Sequence, residues 1–191
     1  PVTLKTRLGW SDDMLNAPDI ARRAEAAGIK MITIHGRTRC QFYKGSADWA
    51  AIAQVKDAVS IPVIANGDIV SPNAARQALA QSGADGVMIG RGARGRPWLL
   101  AEVSHALYNT KVPEIPDGQA FADMVRLHYA AMIRFYGEEL GLRVARKHLG
   151  WYMDTCRTPA PLRKEVLTAP SVNATEALLA TACIPQEACA A

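Results

Sequence analysis

The chain has 191 residues, 49% hydrophobic and 21% charged, with 22 Lys and Arg against 18 Asp and Glu for a net charge of +4. That is the composition of a globular protein; no apolar run approaches the ~20 residues of a membrane span, and the start is no signal peptide. Its four cysteines, Cys40, Cys156, Cys183 and Cys189, show neither a CxxC pair nor metal-ligand spacing, so a reduced cytoplasmic protein fits better than a disulfide framework.

Val2–Thr6 is a short strand pattern followed by an Asp-rich turn. Ala17–Ala27 supports an amphipathic helix closed by Gly28. Met31–Ile34 reads as the next strand and ends in His35-Gly36-Arg37. A polar loop, Thr38–Ser46, leads to a helix over Ala47–Val59, with Trp49, Ile52 and Val55 at spacings of three. Ile61–Ala65 and Gly86–Ile89 are further strands, ending at Asn66-Gly67-Asp68 and Gly90-Arg91-Gly92, with an alanine-rich helix over Pro72–Gln81 between them. A helix over Pro97–Tyr108 follows. The alternation β-α-β-α-β-α-β-α makes a parallel sheet covered by helices. It suits half of an eight-stranded β/α barrel or an open doubly wound sheet. Opening on a strand without Met, the chain reads as a fragment.

Asn109–Gly118, with two prolines, reads as a linker, and the remainder is helical. Phe121, Val125, His128, Met132 and Phe135 mark one face of a helix that Gly137 ends or bends. Leu142–Met153, Leu162–Leu167 and Thr175–Ala182 are further helices. The division is therefore residues 1–110, a linker at 111–118, and a small all-α domain at 119–191.

Parallel β/α folds bind ligands at the carboxyl ends of their strands. Lys5, Arg7, Arg37, Arg39, Lys44, Arg91, Arg94 and Arg96 all lie at strand ends or in the loops after them, making that end cationic. The glycine loops at Asn66-Gly67 and Gly90-Arg91 supply backbone N–H groups for a phosphate. The competing readings are a solvated basic rim, a surface lysine at Lys5, a sheet-capping His35, and an Asp68 that only braces its turn.

Four segments carry a resemblance: VTLKTRLGW (Val2–Trp10), ITIHGRTRCQFYKGSADW (Ile32–Trp49), IPVIANGDI (Ile61–Ile69) and DGVMIGRGARGRPWL (Asp85–Leu99). In this order they strongly resemble the tRNA-dihydrouridine synthases, particularly the bacterial DusB-type branch, and LRVARKHLGWY (Leu142–Tyr152) resembles their helical segment. The resemblance implies the second half (strands 5–8) of an FMN-binding β/α barrel followed by a helical tRNA-binding domain. It implies reduction of uridine to 5,6-dihydrouridine in tRNA, with NADPH as reductant and a cysteine as proton donor. Carried over by position, Lys5 and His35 lie toward the flavin ring, and Asn66, Gly67, Asp68, Gly90 and Arg91 hold its ribityl-phosphate part. The family's cysteine motif is absent from this chain, and Cys40 lies outside its context, so the chain alone is expected to be inactive.

For tRNA, Arg37 and Arg39 are the mouth candidates, and Arg143, Arg146 and Lys147, with His148, form a second patch within about two helical turns. A helix face paired with Glu138 and Glu139 is the alternative for that patch. The alternative functions are another FMN- or phosphate-binding barrel oxidoreductase, and a non-catalytic half-barrel that binds RNA or pairs as a homodimer through open strand edges.

Overall fold

The computed structural model describes residues 1–184. Within its first compact unit, Pro1–Ala93 with Trp98–Pro113, the strands are β1 (Leu4–Arg7), β2 (Ile32–His35), β3 (Val63–Asn66) and β4 (Gly86–Met88). They alternate with α1 (Ala17–Ala26), α2 (Ala50–Lys56), α3 (Pro72–Ser82) and α4 (Leu99–Tyr108). All pairings are parallel and the spatial order is β1-β2-β3-β4. A doubly wound sheet reverses its strand order at a switch point. This sheet advances in one direction without reversal, which is the order of a β/α barrel.

Local signals explain the elements. Pro72 opens α3, Ser71 accepts a hydrogen bond from the Ala74 N–H, and Gly83 ends the helix in the left-handed region. The strands alternate. Ile32, Ile34, Val63 and Ala65 point to one face and are wholly buried with Ala17, Ala21, Ile52 and Val55. Burial of each larger aliphatic side chain stabilises the unit by about 1.5–3 kcal/mol. The other face carries Lys5, Arg7, Thr33, His35, Ile64 and Asn66. Register places Arg7 beside His35, His35 beside Asn66, and Asn66 beside Met88. The hydrophobic alternation that builds the core therefore also sets a row of polar side chains along the strand ends.

The second unit combines Arg94–Pro97 with the chain from Glu114 on. It contains α5 (Gly118–Tyr136), α6 (Glu138–Thr155), α7 (Ala160–Thr168) and α8 (Val172–Ala182). Gly137, at φ +76°, reverses the chain between α5 and α6. Gly141 lets the two helices approach, since a Cβ there would lie 3.0 Å from Ile133 Cα. Phe121, Val125, Tyr129 and Met132 on α5, and Ala145, Leu149 and Met153 on α6, are buried, and the two helices pack together. Phe135 departs from expectation and is 80% exposed. At 100° per residue it sits about 90° from the centre of the buried face, so a pattern that fits Phe121 to Met132 fails one turn later. Arg94–Pro97 groups with the helical unit. Among the described residues, no helix is long and apolar enough to cross a membrane.

Candidate functional site

The polar row opens into a cavity of about 440 Å³ in the first unit, at the carboxyl ends of the strands. Lys5, His35, Asn66, Gly67, Asp68, Gly90 and Arg91 all line it, with Arg7 and Tyr43. The structure thus brings together all seven residues that the sequence nominated for a cofactor.

Each is held from below. Asn66 Nδ2 donates to Met88 O at 2.8 Å, which fixes the amide and directs its carbonyl oxygen elsewhere. Gly67 has φ +116°, and a Cβ there would lie 2.7 Å from Ala47 Cβ and 2.8 Å from His35 Cδ2. Only glycine fits this turn. The Trp49 indole N–H donates to Gly67 O at 2.9 Å. Gly92 is pinned in the same way, with a Cβ 2.3 Å from Ile69 O, whereas a Cβ on Gly90 would meet nothing within 4 Å. Gly92 is therefore glycine for packing, while Gly90 leaves open space over the backbone beside Arg91.

Arg37 corrects the sequence reading. It was expected at the mouth as an RNA contact, but it is 2% exposed. Its guanidinium donates to both Asp68 carboxylate oxygens (2.9 and 2.6 Å), to Lys44 O (3.0 Å) and to Gly45 O (2.6 Å). Asp68 also accepts from the Ala47 N–H at 2.7 Å. An arginine so committed has no donor left for a phosphate in solution. It ties the loop after β2 to the loop after β3, and the Asp68 carboxylate faces this brace. Arg39 is exposed, with its guanidinium 4.2 Å from the Phe42 ring centroid.

Tyr43 was not singled out by sequence. Its ring lies 4.3 Å beneath the Arg91 guanidinium carbon and 5.5 Å from that of Arg7. Arg7 also donates to Thr38 O and Phe42 O, at 2.7 and 2.9 Å. An aromatic residue flanked by basic residues in a polar loop was the available signal.

The cavity is electropositive. Lys5, Arg7 and Arg91 face it, and its carboxylate, Asp68, is already paired. Burial lowers Lys5, and the Arg7 charge lowers it further. His35 is pushed down to about 4, first by burial and then by Arg7, Lys5 and Arg37, against a smaller opposing effect of Asp68. It is neutral at physiological pH. Arg37 Nη1 lies 3.4 Å from His35 Nε2; arginine can only donate, which puts the imidazole proton on Nδ1. Burial alone would raise Asp68, but hydrogen bonds from Arg37 and Ala47, with the charges of Arg37 and Arg91, hold it below the usual carboxylate value.

In the helical unit, Arg143 and Lys147 are exposed on α6 and Arg146 is half-buried. Among the described residues, no ion pair joins these three to Glu138 or Glu139.

Sheet order and cavity together define a β/α-barrel segment with a cation-lined cavity at its strand ends. A family model described as dihydrouridine synthase matches residues 1–188, and the chain belongs to that family. It is 58% identical over 188 residues to a probable tRNA-dihydrouridine synthase of Rhodobacter capsulatus, covering 98% of this chain and 57% of that protein. It is 50% identical over 166 residues to one of Rickettsia conorii, covering 87% and 50%. A tRNA-dihydrouridine synthase B of Xanthomonas axonopodis is 49% identical over 178 residues, covering 93% and 54%. The chain spans about half the length of these curated relatives. A mandelate oxidase structure with an FMN adduct aligns over 92% of the chain at 21% identity, with a TM-score of 0.40, too loose a likeness to carry an argument.

Proposed function

We propose that the chain is the C-terminal portion of a tRNA-dihydrouridine synthase and that its cavity holds FMN by the phosphate end. The observation that carries this is the cationic cavity at the open backbone of Gly90, with Arg91 beside it and its carboxylate neutralised by Arg37. A dianionic phosphate gains charge-assisted hydrogen bonds there and meets no unpaired acid. FMN, recharged by NADPH, supplies the two-electron reduction of the uridine 5,6 double bond when bound.

The residues divide the work. Arg91, held over the Tyr43 ring, and the Gly90 backbone bind the phosphate. Asn66 and Gly67 shape the adjoining wall, and Asp68 acts through Arg37 and Ala47 to hold that wall in place. Lys5 lies deeper along β1 than Arg7 and would offer positive charge to a ring system that accumulates negative charge on reduction. Neutral His35 offers a hydrogen bond without adding a further cation. Arg39, Arg143 and Lys147 are the exposed cations assigned to tRNA phosphates, which position the substrate without reading its sequence. The proton donor is a cysteine outside this chain's motifs, so the chain by itself is assigned flavin and tRNA binding but no uridine reduction.

Changing Lys5 and Arg91 together to Ala tests the assignment. Flavin stoichiometry, read from visible absorbance after purification with added FMN, should fall well below that of the unaltered protein. Unchanged stoichiometry would refute the two assignments.

A further inference from the structure

Two of the cysteines that show no motif spacing in the sequence meet in the helical unit. Cys156 caps the C-terminus of α6, and Cys183 caps that of α8. Cys156 Sγ donates to Ala182 O at 3.5 Å, so its sulfur lies against the end of α8, at the residue before Cys183. The two thiols also hydrogen-bond to each other. Both are free, and both are buried.

A buried cysteine that only fills space sits among apolar atoms. This pair does not. Thr158 Oγ1 lies 3.2 Å from Cys156 Sγ and donates to Ala182 O. The turn after α6 puts Thr158 there: its N–H donates to Met153 O at 3.0 Å, and Arg157 before it takes φ +56°. The niche also makes the two sulfurs unequal. Contact with Cys183, reinforced by Thr158, lowers the Cys156 thiol against the effect of burial, whereas contact with Cys156 and burial both raise Cys183. Cys156 is thus the sulfur that ionises, and Cys183 keeps its proton.

We propose that Cys156 and Cys183 form a redox-modification site, at which a peroxide converts the two thiols into a disulfide that clasps α6 to α8. Cys156 is 5% exposed and Cys183 0%, so a small oxidant reaches the pair where a bulky one does not. The Cys156 thiolate attacks one oxygen of hydrogen peroxide and the O–O bond breaks. The leaving hydroxide takes up the proton that Cys156 gave up, and Cys156 becomes a sulfenic acid. The Cys183 sulfur then attacks the Cys156 sulfur. The S–S bond forms, the S–O bond breaks, and the Cys183 proton leaves with the hydroxide as a second water. Two thiols lose two electrons, and the peroxide gains them. Neither flavin nor RNA takes part.

The test uses the full chain with Cys40 and Cys189 both changed to Ser, so that only the pair can react. After the native protein meets hydrogen peroxide, alkylation in denaturant should find no free thiol. Peptide mapping should recover a Cys156–Cys183 disulfide, and dithiothreitol should restore both thiols. The bridge closes a loop of about 28 residues, so the thermal midpoint should rise by about 10 °C on oxidation. In the same background, Cys183→Ala should stop at the sulfenic acid, trapped on Cys156 by dimedone, and Cys156→Ala should leave Cys183 unoxidised. Two free thiols after peroxide, a disulfide that forms only in urea, or a bridge between two chains would overturn the assignment. A midpoint that oxidation leaves unchanged would overturn the clasp.

Discussion

Replacing Arg37 with Leu keeps most of the side-chain volume and removes the brace between the loops after β2 and β3. The guanidinium donates to Asp68 and to the carbonyls of Lys44 and Gly45. Removing one partner of a buried ion pair costs about 3–5 kcal/mol, and each carbonyl left without its donor costs about 1 kcal/mol. The Asp68 side chain is 32% exposed, so water recovers part of this, and about 3 kcal/mol is expected. For a unit of roughly 100 residues, at about 4 °C per kcal/mol, the midpoint falls about 12 °C. Asp68 has a lowered pKa in the folded state, so the unfolded chain binds its proton first. The stability it contributes is complete above the ordinary carboxylate pKa and is lost as pH falls through the lowered one. Calorimetric unfolding of both proteins from pH 7 down to pH 3 should therefore show a gap that narrows with acid. A midpoint within 2 °C of the unaltered chain at pH 7, or a gap independent of pH, would refute the brace.

Two glycines separate packing from ligand approach. Gly92→Ala should destabilise the first unit by about 1–3 kcal/mol, because the added methyl meets Ile69 O. Gly90→Ala should unfold at the same temperature as the unaltered chain yet bind FMN about tenfold more weakly, its methyl occupying the open space. Equal FMN affinity would remove Gly90 from the site. For His35, the NMR titration should show a midpoint of about 4, not near 6.5. The unfolded chain takes that proton first, so stability declines as pH drops from about 6.5 towards 4. His35→Gln should flatten the decline, and a midpoint above 6 would contradict the buried, neutral imidazole.

The strand-end site was legible because short apolar runs stop at glycine loops. Parallel register then aligns Arg7, His35, Asn66 and Met88 without further information. Arg37 was misread because its position after a strand resembles that of any rim cation. Its burial depends on Asp68, 31 residues away, and no local pattern reports that pairing. The placement of Arg94–Pro97 depends likewise on Gly95 meeting Trp151 across 56 residues. Tyr43 lacks periodicity, since it acts through stacking with arginines from β1 and the turn after β4. What escaped the sequence in these cases was long-range pairing of side chains, while the elements that carry them were readable from local chemistry.

The proposed function requires this cavity to recognise the phosphate of FMN. Riboflavin shares the ring system and the ribityl chain and lacks the phosphate, so parallel fluorescence titrations of the chain with FMN and riboflavin isolate that group. FMN should bind at least about 100-fold more tightly, on the order of two charge-assisted hydrogen bonds, with most of the preference lost in Arg91→Ala. Equal affinity for the two flavins, or a preference that survives Arg91→Ala unchanged, would contradict it.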